Sequence, residues 1–312
     1  MNKIIDGIIG FAIGDALGVP VEFRTRSYLK RNPVAAMMGY GSHKVPAGCW
    51  SDDTSMTLCL MQSFIDFGYF NMEATMKNFV KWVEEAQFTA TNEVFDIGIT
   101  CSKAIRNFVI NSIEPVNCGP KNIRSNGNGS LMRILPVAYY INKENLEAKE
   151  VYQLISDISS LTHGHEISIL GCYIYINFVN SLLNGNTKQE AYDHLKDCDY
   201  SFFNEESLLV YNGILLEDIS KRKEQTIKSS GYVVDTLEAT LFSLLTTSSY
   251  KEAVLKAVNL GDDTDTIGAI TGSLAGIEYG YKKIPQEWLD TLIKKDYLVK
   301  QCNDFYNVLL KG

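Results

Sequence analysis

The stretch GDDTDTIGAITGSLAGIEYG, residues 261–280, sets three carboxylates and two threonine hydroxyls in five consecutive positions and follows them with glycine at every fourth residue. Four residues advance about 400° around a helix, so Gly268, Gly272, Gly276 and Gly280 form a slowly drifting stripe on one side. A glycine inside a helix costs about 1 kcal/mol relative to alanine. Close approach of a neighbouring helix backbone is the gain that offsets it. Gly7, Gly10, Gly14 and Gly18 nearly repeat the device near the start of the chain. On the glycines alone, a tight helix crossing without further function is an equal reading.

The same helical spacing of apolar residues runs through most of the chain, and alternating runs bounded by turn residues are scarce. The pattern predicts an all-α fold, with helices over 3–16, 54–68, 72–87, 94–112, 130–142, 147–161, 165–184, 187–197, 206–222, 233–247, 250–259, 265–281 and 297–311. No long linker or low-complexity tract divides it, so a single domain over 1–312 is expected.

The chain has 312 residues, 46% hydrophobic and 21% charged, enough to bury a real core. Its formal charge of −8 opposes non-specific attraction to nucleic acid and to anionic membrane, so a small molecule or protein is the expected partner. Seven scattered cysteines without a CxxC pair fit neither a disulfide framework nor a zinc ribbon, and imply reduced thiols and a cytoplasmic setting. Asp6 and Asp15 interrupt the apolar start and argue against a signal peptide. The uncharged run Ile167–Leu183 is slightly short for a membrane span and carries Asn and Ser, so it reads as a buried helix. A monomer that binds neither nucleic acid nor membrane is expected.

One Asp or Thr before a helix is a routine N-cap. Capping explains one of the five polar positions in 262–266, whereas crowding carboxylates raises their pKa values unless a cation sits among them. WSDDTSMTLCLM, residues 50–61, again sets hydroxyl, Asp, Asp, Thr before a helix. Together the clusters suggest two half-sites around hard cations; two independent caps are the alternative. Oxygen ligands suit Mg²⁺ or Mn²⁺, and both segments lack the His and Cys that zinc prefers, apart from Cys59 inside the second helix. An EF-hand fails by spacing: counted from Asp263, the twelfth position is Leu274 instead of Glu. NGNGSLMR, residues 126–133, is a glycine-rich turn that either cradles a phosphate or simply caps a helix. LTHGHE holds His163 and His165 at a spacing that matches no zinc signature. Glu22 and Asp96 are single carboxylates for which a structural role is the default.

GFAIGDALGVPVEF, WSDDTSMTLCL, VFDIGIT, NGNGSLMRILPVA, SSLTHGHE, GYVVDTLEATLF and LGDDTDTIGAITGSLAGIEYG, in this order across nearly the whole chain, resemble the ADP-ribosylglycohydrolase family. The resemblance implies an all-α domain with two Mg²⁺ or Mn²⁺ ions at the bottom of an ADP-ribose cleft. Ser51, Asp52 and Asp53 match one set of metal ligands; Asp263, Asp265 and Thr266 match the other, with Asp265 expected to bridge. Glu22, Asp96 and Asp53 match the carboxylates of the catalytic set, Glu22 with a catalytic or gating role and Asp96 in acid/base work. Asn128, Gly129 and Ser130 match a phosphate-contacting loop, His163 a ribose or phosphate contact, and Tyr232 the aromatic on the adenine side. The implied reaction is hydrolysis of the C1″ glycosidic or ester bond of an ADP-ribose conjugate, foremost ADP-ribosylarginine on protein. The alternatives are an ADP-ribose-binding or toxin-neutralising protein and a Mg²⁺-dependent phosphohydrolase.

Overall fold

The computed structural model describes residues 3–144 and 146–311, so the extreme ends of the expected 1–312 span lie outside it. Among the described residues there is no β-strand, only an isolated antiparallel bridge between Gly127 and Tyr232. Sixteen helices carry the fold: α1 (Lys3–Gly18), α2 (Arg26–Arg31), α3 (Asp52–Phe67), α4 (Met72–Glu85), α5 (Ile99–Val109), α6 (Leu135–Glu144), α7 (Ala148–Ser160), α8 (Glu166–Leu183), α9 (Lys188–His194), α10 (Glu205–Leu209), α11 (Asn212–Leu215), α12 (Val233–Leu245), α13 (Tyr250–Val258), α14 (Thr264–Tyr279), α15 (Gln286–Thr291) and α16 (Lys295–Lys311).

The two glycine stripes are each other's partners. A Cβ added at Gly14 would land on Gly268 O, one at Gly10 on Gly272 O, and one at Gly276 on Asp6 O, so α1 and α14 touch backbone to backbone. This buried pair forms the axis of the molecule. Helices α12 and α13 flank α14, while α3 and α16 pack on α1. Polar side chains stitch the axis to its surroundings: Tyr250 Oη donates to Gly10 O at 2.7 Å, and Tyr175 Oη and Ser273 Oγ lie 2.7 Å apart. Two segments, α1 extended by its following 3₁₀ turn to Val21 and α8, are long and apolar enough to span a bilayer, but 94% and 78% of their respective windows are buried in the protein interior. A smaller, sulfur-rich cluster built on Met56, Phe79, Trp82, Cys101 and Met132 supports α5 and the 128–133 turn.

Several expected helices are corrected. The 94–112 helix begins only at Ile99, because Asp96 takes a left-handed φ of 50° and Gly98 is extended; residues 94–98 form a loop. The 130–142 helix begins at Leu135, where Pro136 is tolerated in the first turn. The 206–222 helix is split into α10, α11 and a 3₁₀ turn. At the break, Tyr211 is buried and its hydroxyl donates to Ile167 O at 2.8 Å, which pins the chain against α8. Helices α2 and α15 have six residues each, too few for apolar periodicity to register.

Candidate metal centre and cleft

Three helix ends meet at one place. The α1/α14 crossing brings the C-terminal turn of α1 against the first turn of α14 so closely that a Cβ at Gly18 would collide with the Asp265 backbone. Asp15, from α1, reaches to α3: its carboxylate accepts from Ser51 N at 2.9 Å, Thr54 N at 3.1 Å and Thr54 Oγ1 at 2.6 Å. It thus caps α3 from another helix, a tie that ordinary N-caps make within their own chain segment. Ser51 adds the local cap, accepting from Asp53 N at 3.2 Å.

The acidic half-sites converge. Thr266 Oγ1 donates to Asp53 Oδ1 at 3.2 Å across 213 residues of sequence. Carboxylate oxygens of Asp15, Asp53 and Asp265 lie within 4.8 Å of one another, and so do those of Glu22, Asp263 and Asp265; Asp265 belongs to both sets. Asp52 stands beside them on the cleft wall. Asn128 Nδ2 donates to Asp263 Oδ2 at 2.6 Å and to Thr236 Oγ1 at 2.9 Å, which fixes Asp263 at the start of α14.

No Lys or Arg among the described residues pairs with any of these carboxylates. Burial accordingly pushes Asp52, Asp53 and Asp265 well above the usual carboxylate range, with repulsion from the surrounding carboxylates adding to it. Burial likewise raises Asp15 to about 7, with the hydrogen bonds from Thr54 and Ser51 acting against it. The positive ends of α3 and α14, and at Glu22 the ring of His43, offset part of the charge. Asp53 Oδ2 is fully buried and has no hydrogen-bond partner among the described residues. An orphaned carboxylate oxygen is a costly thing to bury. Hard oxygen donors, crowded and lacking a counterion, fit divalent ions such as Mg²⁺ or Mn²⁺.

Above this floor opens a cleft of about 700 Å³. One wall is the Asp96–Cys101 loop and helix start; the other is the Gly127–Gly129 turn with Ser230 and Gly231. Glu22, Asp96 and His163 also line it. Burial raises Glu22 to about 8, even though the ring of His43 bonds to its Oε2. That contact in turn raises His43, whose Nε2 is 3.9 Å from Asp96 Oδ2. Ser42 Oγ donates to Glu22 O at 2.6 Å, so the 42–43 segment holds both backbone and side chain of Glu22. Phe23, 70% exposed with a left-handed φ of 64°, stands at the rim, its N donating to Asp262 O at 2.7 Å.

Not every residue singled out in the sequence faces this space. Ser130 turns inward, its hydroxyl accepting from Ser159 Oγ at 3.0 Å and lying 3.5 Å from Cys172 Sγ. Tyr232 is half-buried beside the cleft and its backbone bridges to Gly127. Sequence reasoning missed Asp15 and His43. Asp15 had a signal: a carboxylate in the middle of an apolar helix needs partners. His43 had none, since its loop has no periodicity and its partners are distant in sequence.

A family model described as ADP-ribosylglycohydrolase matches residues 1–311. The chain is 31% identical over 297 residues to "ADP-ribosylarginine hydrolase Tri1" of Serratia proteamaculans (strain 568), covering 95% of this chain and 76% of that one. It is 29% identical over 309 residues to "ADP-ribosyl-[dinitrogen reductase] glycohydrolase" of Rhodospirillum rubrum, covering 94% and 91%. A solved structure titled "ADP-ribosylglycohydrolase-related protein complex" superposes with a TM-score of 0.82 at 25% identity, covering 99% of this chain and 98% of that chain.

Proposed function

The chain belongs to the ADP-ribosylglycohydrolase family, and from that premise we propose that it hydrolyses the bond between C1″ of ADP-ribose and its acceptor, with protein-linked ADP-ribosylarginine as substrate. The observation that carries the proposal is the partnerless Asp53 Oδ2 inside a buried carboxylate cluster at the floor of an open cleft. The arginine acceptor follows the Serratia relative, which is named as an ADP-ribosylarginine hydrolase. The free thiols, mostly buried, go with a reducing cytoplasm.

Two ions, Mg²⁺ or Mn²⁺, would be held by Ser51, Asp52 and Asp53 on one side and Asp263, Asp265 and Thr266 on the other. When bound they supply Lewis-acid polarisation and a more acidic water. Asp15 tethers the first turn of α3, because its oxygens are already taken by that turn. The chain itself orients the sugar: the Gly127–Gly129 turn and His163 face the diphosphate side, and Tyr232 takes the adenine side. Water adds at C1″ as the C1″–N bond breaks, giving ADP-ribose and a free guanidine. Glu22, raised by burial to about 8 in the metal-free protein, is suited to deliver a proton to the leaving nitrogen. Asp96, at the end of the same His43 contact, is placed to accept a proton from water.

The test is a substrate panel of ADP-ribosylarginine protein, O-acetyl-ADP-ribose and nucleoside di- and triphosphates, each with Mg²⁺, Mn²⁺ or EDTA. Release of ADP-ribose from the arginine conjugate, abolished by EDTA, is expected. Turnover confined to the free nucleotides would replace the proposal with phosphohydrolase chemistry.

A further inference from the structure

Arg133 is fully buried, and no carboxylate pairs with it among the described residues. A guanidinium stays charged in a protein, so its surroundings must answer for the charge. Its Nη1 donates to Gly129 O at 2.5 Å and to Thr162 Oγ1 at 2.6 Å, and its Nη2 donates to Ile158 O at 3.0 Å. The face of Phe79 lies 5.3 Å from its central carbon. Two of these contacts lead straight to the cleft. Gly129 belongs to the turn that lines it, and Thr162 Oγ1 is 2.8 Å from His163 Nδ1.

The other ring nitrogen, His163 Nε2, has no hydrogen-bond partner among the described residues. It faces the glycine turn so closely that a Cβ at Gly127 or Gly129 would lie 3.4 or 3.5 Å from it. A hydroxyl has one proton to give. With a guanidinium proton already on a lone pair of Thr162 Oγ1, the hydroxyl proton goes to the best remaining acceptor, His163 Nδ1. The reverse arrangement would have Nδ1–H donate to Thr162 and turn the hydroxyl towards the Cys101 sulfur, a weak acceptor that also reaches Thr162. It would also crowd a second N–H dipole against the guanidinium. The first arrangement wins on both counts.

We infer that Arg133 and Thr162 are positioning residues that lock His163 as its Nε2–H tautomer, so that the cleft wall presents a neutral N–H donor to an anionic oxygen of the ligand. Burial, and after it the charge of Arg133, holds the His163 pKa down to about 3, so the ring keeps this form across the working pH range. A neutral donor here grips a phosphate oxygen without titrating. The ligand assignment, a diphosphate of ADP-ribose, rests on the proposed function; the tautomer does not.

The experiment is long-range ¹H–¹⁵N correlation of the imidazoles in the full-length protein at neutral pH, with ADP-ribose affinity measured by calorimetry alongside. The wild type should show His163 neutral and protonated on Nε2. Thr162→Val, which keeps the shape and deletes the hydroxyl, should release the lock and mix the tautomers. It should weaken ADP-ribose binding roughly tenfold, the scale of a lost hydrogen bond to a charged group. Thr162→Ser should restore both. Arg133→Lys should shift the His163 resonances as well; if that variant does not fold, the Thr162 pair decides alone. A wild-type His163 protonated on Nδ1, or doubly protonated, overturns the inference. So does a Thr162→Val protein with an unchanged tautomer. An Nε2–H tautomer in a wild type with no affinity for ADP-ribose sustains the lock and sinks the proposed function.

Discussion

Asp53 concentrates the physics of the centre in one side chain. It is fully buried, one oxygen accepts from Thr266, the other has no partner among the described residues, and its neighbours are carboxylates. Asp53→Asn removes a buried charge and a repulsion while keeping the shape. The metal-free variant should therefore melt at or above the wild-type temperature, although buried-site substitutions usually destabilise. It should also lose the stabilisation that Mn²⁺ gives the wild type. At a metal concentration a hundredfold above Kd, linkage supplies about 2.7 kcal/mol per site, a shift of several degrees in Tm for a chain of this size. Differential scanning calorimetry with and without Mn²⁺ reads both effects. A variant that keeps the full Mn²⁺-dependent shift would remove Asp53 from the ligand set.

At the scale of elements, α1 and α14 decide whether the centre exists, because their crossing sets Asp15 and Gly18 against Asp265. Gly14→Ala puts two effects in opposition. Helix propensity favours alanine by about 1 kcal/mol, but the new Cβ would occupy the place of Gly268 O, a backbone atom that cannot swing aside. Overpacking costs about 1–3 kcal/mol, so the variant should be less stable, with a lower urea midpoint. Pushing α14 away should also weaken Mn²⁺ binding. Equal or greater stability would show that the crossing is looser than the contact implies. This element pair was half legible in the sequence: each stripe asked for a close neighbour, and the acidic runs marked the starts of α3 and α14. Which helix answered which stripe was not legible, because a four-residue period carries no address. Two of the boundary errors share a cause. Around Asp96 and Tyr211 the apolar spacing stays helical, while a left-handed φ at Asp96 and a buried hydroxyl bond at Tyr211, both set by tertiary contacts, break the helix. His43 was invisible for the same reason: only the folded loop sets it between Glu22 and Asp96.

Across the whole molecule, the carboxylate cluster ties stability to pH. Glu22 is raised from 4.5 to about 8 and Asp15 from 3.8 to about 7. A raised pKa means that the folded metal-free protein binds a proton that the unfolded chain has released. That contribution to stability is complete below the unfolded pKa and is lost as pH rises through the folded one. His43, raised from 6.5 by its bond to Glu22, acts in the same direction. His163, lowered from 6.5 to about 3, acts in the opposite direction, adding stability as pH climbs towards 6.5 and nothing beyond. The clean window is therefore pH 6.5 to 8, where the groups that still titrate at this centre all favour the protonated, metal-free fold. In EDTA, Tm should fall steadily across that window. With saturating Mn²⁺ the fall should shrink or reverse, because divalent ions bind the deprotonated carboxylates and the Mn²⁺-induced gain in Tm grows as protons leave. Melting curves in EDTA and in Mn²⁺ at half-unit steps from pH 6 to 8.5 distinguish the cases. A metal-free Tm that is flat or rising across the window would mean that these carboxylates are ionised without any cation, and that the crowding at the α1, α3 and α14 ends is relieved in some way other than by metal.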